Sequence, residues 1–386
     1  MPMHPAGRVD AALDVALVAG ESSGDLIGAA ALQALRARRP SLQAAGIGGP
    51  ALRALGFDAW WPSERLAVRG YVEVLRHLPA LLWIRSRLAQ RLLQRPPKVF
   101  VGVDAPDFNL GLEQRLKGAG IPTLHFVSPS IWAWRPQRIH RIAQAVDHML
   151  CVFPFEPALY HAHGLAASYV GHPMADVIPL QPERAAARLE LGLPADAPVV
   201  ALLPGSRNDE ITQLLDIFLA AAQAVGRRLR GARFVLPVAH AGLRARIDAA
   251  VARSDVAVHC VAGRSHRVLE ACDVALVASG TATLETALYK RPMVVAYRMP
   301  ALSWRLMKPK HLQPWVALPN ILLGEFAVPE LIQDDCTADR LAAAVLRWFD
   351  EPQRVAQLAE RFMQLHVQLR CGCAERVAER IEAHVG

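Results

Sequence analysis

Short apolar runs recur along this chain, and each stops abruptly at glycine, proline or hydroxyl side chains before a helical pattern begins. Val15–Ala19 runs into Gly20-Glu21-Ser22-Ser23-Gly24-Asp25, ahead of a helical pattern over 26–38. The same alternation continues through apolar runs at 98–103, 121–127, 148–153 and 168–170. It restarts at Val199–Leu203, which leads into Pro204-Gly205-Ser206-Arg207 and a helical pattern over 210–230. Further runs follow at 234–238, 256–261, 274–277 and Met293–Tyr297. Strand, turn, helix, repeated in this way, predicts an α/β fold whose strands are parallel and covered on both faces. At 386 residues the chain is long for one core, since domains run to about 150 residues. The segment Gly171-His172-Pro173-Met174-Ala175-Asp176, followed by Pro179 and Pro182, reads as the linker between two such halves. The expected domains are therefore 1–176 and 177–350. Helices over 351–386 are expected to cross back to the first domain, because their apolar faces need a surface to cover.

Turns at the carboxyl ends of parallel strands are where ligands bind in open sheets, so those turns carry the candidate chemistry. In Gly102-Val103-Asp104-Ala105-Pro106-Asp107-Phe108-Asn109 the strand is stopped by a proline, which cannot donate to the ladder and biases Ala105 towards an extended backbone. Asp104 is thus left at a carboxyl edge, with Asp107 three residues on, able either to cap the next helix or to share the chemistry. The first turn, with Glu21, Ser23 and Gly24, opens a helix and suits an anion or sugar hydroxyls. Ala278-Ser279-Gly280-Thr281-Ala282-Thr283-Leu284-Glu285 is a hydroxyl-rich turn that can hold a diphosphate through backbone N–H groups and hydroxyls. Glu285, one turn further in, can accept from a ribose diol. The strand exit Ser128-Pro129-Ser130-Ile131-Trp132-Ala133-Trp134-Arg135 suits either a sugar or acyl pocket or, for Trp132, a place in the core. Gly46-Ile47-Gly48-Gly49-Pro50-Ala51 fits the G-x-G-x-x-A pattern of a dinucleotide site. It follows the second strand rather than the first, and no acid-terminated strand comes about 20 residues later, so it is not read as one.

Composition narrows the partners. Hydrophobic residues make up 53% of the chain, yet no run approaches the roughly 18 to 20 residues needed to span a bilayer. The N-terminal apolar stretch contains Asp14 and runs into Glu21, so no secretory signal is expected. Six scattered cysteines without metal-ligand spacing read as buried thiols of a cytosolic protein. The net charge of +8 is concentrated: Arg65, Arg69, Arg76, Arg85, Arg87, Arg91, Arg95 and Lys98 face a single acid, Glu73. They interleave with Tyr71, Leu75, Leu78, Leu81, Leu82, Trp83 and Ile84 at helical spacing. A second acid-free window, 286–324, holds Arg298, Arg305, Lys308 and Lys310 among Leu302, Trp304, Leu306 and Trp315. Such basic amphipathic segments fit either a membrane surface or helices with one face packed inward. No recognised nucleic-acid motif accompanies the charge, so no nucleic acid partner is expected.

Seven segments in order, AGESSGD at 19–25, GVDAPDFN at 102–109, VSPSIWAWR at 127–135, GHPMAD at 171–176, LLPGSR at 202–207, ASGTATLE at 278–285 and LPN at 318–320, make the chain resemble the lipid-A-disaccharide synthases. These are inverting glycosyltransferases of the GT-B type, with two Rossmann-like domains flanking a cleft. The resemblance runs nearly end to end and departs in GESSGD, where the family's turn is GETSGD. It implies transfer of 2,3-diacylglucosamine from UDP-2,3-diacylglucosamine to the 6-hydroxyl of 2,3-diacylglucosamine 1-phosphate. The products would be a β(1→6)-linked disaccharide 1-phosphate and UDP. By the family's motifs Asp104 would be the general base and Arg207 would meet the leaving diphosphate. Ser206, Ser279, Gly280 and Thr281 would add phosphate contacts, Glu285 would hold the ribose, and Asn320 would add a polar contact. Glu21, Ser23 and Gly24 are further binding candidates. No metal or cofactor is implied, and no D-x-D triplet is present. The resemblance places the enzyme in the cytoplasm, docked on the inner membrane through Arg65 to Arg95 with Leu82 and Trp83; a homodimer is compatible with it. Two rival readings are a UDP-N-acetylglucosamine 2-epimerase or lipid-intermediate transferase on the same scaffold, and a non-catalytic nucleotide or lipid sensor. Dependence on an acceptor separates the epimerase, and indifference to loss of Asp104 separates the sensor.

Overall fold

A computed structural model describes residues 13–66, 71–300, 304–305 and 312–385, with side chains from 78 onward in the helix Tyr71–Gln94. Arg69, Leu302, Leu306, Lys308 and Lys310 of the two basic windows lie outside the described residues, as do the side chains of Tyr71, Glu73, Leu75 and Arg76. The chain divides into two compact units, 1–176 with 369–386, and 177–368.

The first unit is a seven-stranded parallel sheet: β1 Val15–Ala19, β2 Ala44–Gly48, β3 Asp58–Pro62, β4 Val99–Val103, β5 Thr123–Phe126, β6 His148–Cys151 and β7 Ala166–Tyr169. Its order is β3-β2-β1-β4-β5-β6-β7. The second unit has six parallel strands: β8 Val199–Leu203, β9 Arg233–Val238, β10 Val258–Ala262, β11 Val274–Ala278, β12 Met293–Tyr297 and β13 Glu330–Ile332, in the order β10-β9-β8-β11-β12-β13. All of β1, β2, β4, β8 and β11 is buried. That is why these strands are continuous apolar runs rather than alternating ones. In each sheet the chain starts in the middle, winds one way, then returns to wind the other. The reversal falls between β1 and β4 in one sheet and between β8 and β11 in the other, and at such a point the loops part to leave a crevice.

Two strands escape the apolar-run reading, β3 and β13. Both are edge strands, half-exposed, and β13 is three residues long, so neither needs a continuous apolar run. The discounted glycine turn after β2 has a physical explanation. Asp25 fills it: its carboxylate accepts from the backbone N–H of Gly49 at 2.7 Å, Ala51 at 2.8 Å and Leu52 at 3.3 Å. A helix start occupied by the chain's own buried anion has nothing left for a pyrophosphate.

The GHPMAD segment is more than a linker. The Asp176 carboxylate accepts from the N–H groups of Gly372 at 3.0 Å and Cys373 at 2.6 Å, capping the helix Cys373–Val385. Gly171, at φ 90°, leaves room for Cys371, whose Cβ would stand 2.6 Å from any Cβ added there. The capped helix lies along the helix Ser22–Arg38, where Glu382 pairs with Arg38 at 2.7 Å and Arg39 at 3.2 Å. The preceding helix, Pro352–Leu369, falls almost wholly within the second unit, so it is from Leu369 that the chain belongs to the first.

Candidate active site

Both sheet reversals carry a cavity. On the first unit a cavity of about 310 Å³ is lined by Glu21 after β1, by Asp104, Ala105, Pro106, Asp107 and Phe108 after β4, and by Leu66, Leu78, Leu81, Leu82 and Arg85. Of the candidates on this unit it unites Glu21 and Asp104. Ser23 is exposed and Gly24 buried outside it, Gly24 packing on Val103.

Asp104 and Ala105 both adopt left-handed backbone, at φ 51° and 45°. The extended backbone expected of Ala105 from the following proline is therefore not what forms. Ala105 instead caps the helix Pro106–Lys117, its carbonyl accepting from Phe108 and Asn109 N–H at 3.0 Å. The buried Asn109 amide fixes the turn by donating to the Asp104 carbonyl at 2.8 Å. Two consecutive non-glycine residues in this region are costly, about 1 to 3 kcal/mol each. The strain aims a carboxylate that has no hydrogen-bond or ion-pair partner among the described residues. Asp107 differs: it is exposed and accepts from Arg138 Nη2 at 2.9 Å.

Beneath Asp104 lies a fully buried pair, Glu113 Oε1 and His125 Nδ1, 2.7 Å apart. Burial works against a charged His125. The charge and hydrogen bond of Glu113, joined by the charge of Asp104, outweigh it and hold the imidazole pKa above its ordinary value. Gly102 makes the pair possible, because a Cβ there would stand 2.1 Å from Glu113 Oε1.

The Trp132 ring belongs to the core. Its Nε1 donates to Glu156 at 3.0 Å and the ring meets Phe153 and Phe155 edge-on. Arg135 instead stacks on Trp134 at 3.9 Å. Burial pushes the Glu156 carboxyl up to about 7, against hydrogen bonds from Phe153 N–H and Trp132. A carboxyl raised on folding binds its proton more tightly in the native state, so native stability falls as pH rises from about 4.5 through about 7. The loss is on the order of 3 kcal/mol. Urea unfolding at pH 5 and pH 8 should show stability changing less favourably with rising pH in wild type than in Glu156→Gln, by this amount; equal changes in both would contradict it.

On the second unit a cavity of about 300 Å³ gathers Gly205, Ser206, Arg207 and Glu210 after β8 with Ser279, Gly280, Thr281 and Glu285 after β11. Gly280, at φ 148°, starts the helix Thr281–Leu288, and a Cβ there would meet nothing within 4 Å. The approach to this helix start at Gly280 is thus open. Ser279 Oγ donates to the Val316 carbonyl at 2.8 Å, which leaves its oxygen as an acceptor. Burial raises the Glu285 pKa, opposed by His266, whose Nε2 is 3.6 Å away. Arg207 caps the helix Asn208–Arg228 and its guanidinium is largely exposed, held at 3.1 Å by Glu210. Glu210 also accepts from Ser206 and Arg207 N–H at 2.8 and 3.1 Å. Gly205 allows this, since a Cβ there would stand 2.4 Å from Glu210.

Asn320 does not join this cavity. It is fully buried, its Nδ2 donating to the Val328 carbonyl at 2.9 Å and Glu330 at 2.8 Å, its Oδ1 accepting from Val328 N–H at 2.9 Å. With both amide hydrogens committed, it ties the helix Leu318–Leu323 to β13. Among the described residues no group of three or more His, Cys, Asp or Glu is arranged to hold a metal ion.

The family model of lipid-A-disaccharide synthetase matches residues 15–381. The chain belongs to the lipid-A-disaccharide synthase family. Relatives agree: the lipid-A-disaccharide synthase of Thiobacillus denitrificans is 57% identical over 369 residues, covering 96% of this chain and 99% of that one. That of Albidiferax ferrireducens is 53% identical over 386 residues, covering 98% of each. The enzyme is accordingly a glycosyltransferase of lipid A biosynthesis. Solved structures bear on the fold alone. UDP-GlcNAc 2-epimerase from Neisseria meningitidis aligns at TM-score 0.60 with 11% identity, over 96% of this chain and 99% of that one. Acinetobacter baumannii MurG aligns at 0.59 with 13% identity, over 97% and 100%. Both fit the two-sheet GT-B architecture.

Residues missed in the sequence include Asn109, Glu113 and His125 beneath Asp104, Glu210 in the second cavity, and His266 behind Glu285. Asn109 ends the GVDAPDFN segment, and the other four lie inside helices or a strand rather than in turns. The signal available was polarity inside apolar elements: His125 sits in the middle of Thr123–Phe126, and Glu113 on the apolar face of Pro106–Lys117.

Proposed function

We propose that the second unit holds the UDP of a UDP-2,3-diacylglucosamine donor and that the first unit presents the 6-hydroxyl of a diacylglucosamine 1-phosphate to Asp104. The reading rests above all on the Asp104 carboxylate, unpartnered at a sheet reversal and aimed by a strained backbone. As the acceptor oxygen bonds to the anomeric carbon, the bond from that carbon to the diphosphate breaks, inverting the centre. Asp104 takes the hydroxyl proton and UDP leaves with the bonding electrons. Arg207, with the hydroxyls of Ser206 and Thr281 and the N–H groups around Gly280, meets the diphosphate charge. Glu285, oriented by His266, accepts from the ribose. Glu21 contacts the acceptor sugar. The test is UDP release from the donor with and without the acceptor: release that ignores the acceptor would defeat the reading.

The acyl chains of both substrates point to work at a lipid surface, and we place the protein at the cytoplasmic face of the inner membrane. Ile84, Leu88, Ala89 and Leu92 turn one face of the helix Tyr71–Gln94 into the core. Leu78, Leu82 and Trp83 stay 41%, 44% and 53% exposed on another, with the Arg87 guanidinium over the Trp83 ring at 5.7 Å. An exposed apolar row beside arginines suits anionic lipid, where each basic side chain adds about 1 kcal/mol. Among the described residues no helix is long and apolar enough to cross a membrane. Replacing Leu82, Trp83 and Arg87 together should reduce co-flotation with anionic liposomes and leave UDP affinity unchanged. Undiminished flotation would remove this face from the proposal.

A further inference from the structure

Arg85 does not belong with the docking face. Its side chain lines the same cavity as Asp104, and its guanidinium packs on the helix behind, where a Cβ at Gly111 would stand 2.8 Å from Nη1 and 3.2 Å from Cζ. It is half-buried, with five N–H donors, yet it has no hydrogen bond and no ion pair among the described residues. The cavity carries three carboxylates, Glu21, Asp104 and Asp107, and none of them pairs with it. Asp107 is engaged by Arg138. Burial pulls the pKa of Arg85 down, and the charge of a second cation, Arg141, pulls the same way. Two other arginines withdrawn from solvent are paired: Arg188 reaches four backbone carbonyls and Asp273, and Arg291 donates to the carbonyls of Leu269 and Glu270. A half-buried, unpaired guanidinium that also feels a second cation is costly without an anion to meet it.

We infer that Arg85, helped by Arg141, binds the phosphate of the acceptor, holding the sugar so that its far hydroxyl meets Asp104. The inference rests on the proposed acceptor site and adds the recognition of its anionic group. The leucines of the same cavity, Leu66, Leu78, Leu81 and Leu82, then face the acyl chains while the charged wall takes the phosphate. Planar, bidentate donation suits a phosphate better than a lysine point charge.

The test compares kcat/KM for diacylglucosamine 1-phosphate with that for the same diacylglucosamine carrying a free 1-hydroxyl, in neutral detergent micelles. Wild type should prefer the phosphorylated acceptor by about ten- to hundredfold, the worth of a hydrogen bond to a charged group. Arg85→Ala should bring the preference close to one by raising KM for the phosphorylated acceptor alone, with donor KM and urea midpoint unchanged. Arg85→Lys should recover part of it. A wild type with no acceptor-dependent UDP release would defeat the proposed function itself. An active wild type whose preference is absent, or survives in Arg85→Ala, would overturn the inference alone. Loss of flotation with anionic vesicles at unchanged preference would assign Arg85 to lipid headgroups and overturn it too.

Discussion

Asp104→Asn is expected to lower kcat for acceptor-dependent UDP release by about 10²- to 10⁴-fold, the usual contribution of a general base. The asparagine is isosteric, so the left-handed turn, its Asn109 clamp and the cavity walls should persist. What is lost is the lone pair that takes the hydroxyl proton as the new glycosidic bond forms. UDP affinity should stay unchanged, because the nucleotide pocket is built entirely from residues of the second unit. Asp107→Asn is the control: that carboxylate is exposed and shared with Arg138, and its loss should change kcat by no more than a few-fold. Single-turnover kinetics with saturating donor would separate the chemical step from product release. Equal losses in the two variants, or normal turnover in Asp104→Asn, would move the base elsewhere.

The turns and the buried strands were legible for one physical reason. A parallel strand covered on both faces has to be apolar throughout, and the chain has to break it with glycine, proline or small hydroxyls to let a helix pack back. Hence Val99–Val103 and Val274–Ala278 stand out, and Asp104 and Ser279 to Glu285 with them. Edge strands obey a weaker rule, which hid Asp58–Pro62. Conformation at the turn itself was less readable. The proline after Ala105 argued for extended backbone, but the Asn109 side chain and the start of the following helix hold it left-handed. Asn320 shows the converse: a polar side chain in a motif reads as a ligand contact, while the bonds its amide makes to Val328 and Glu330 come only from the fold. Arg85 was grouped by sequence with its helical neighbours on the basic face. Its place follows from rotation about the helix axis and from Gly111, which offers the guanidinium a flat seat on the adjoining helix.

Gly102→Ala should be among the most damaging single methyl groups that could be added near the site. Its Cβ would stand 2.1 Å from Glu113 Oε1 and 3.1 Å from Cβ and Cγ of Asn109. Neither neighbour has space to give, because both are fully buried. Displacing Glu113 leaves His125 without the only group within hydrogen-bonding distance of its ring among the described residues. Breaking a buried pair of this kind costs about 3 to 5 kcal/mol. That should appear as a lower urea midpoint at unchanged m, the mark of lost stability rather than a changed unfolded state. Displacing Asn109 also loosens the amide that holds the Asp104 carbonyl, so the surviving folded protein should show reduced kcat with donor KM intact. Glu113→Asp in the same chain withdraws the carboxylate by one methylene and should restore part of the stability. The sign of the pH response follows from the raised His125 pKa: the pair's contribution is fully present below about 6.5 and fades as pH rises through the folded value. Wild type and Gly102→Ala should therefore differ most in acid and converge towards alkaline pH. A gap that instead widens with pH, or a double variant no more stable than Gly102→Ala, would mean that the methyl group acts on the sheet and not through the Glu113 and His125 pair.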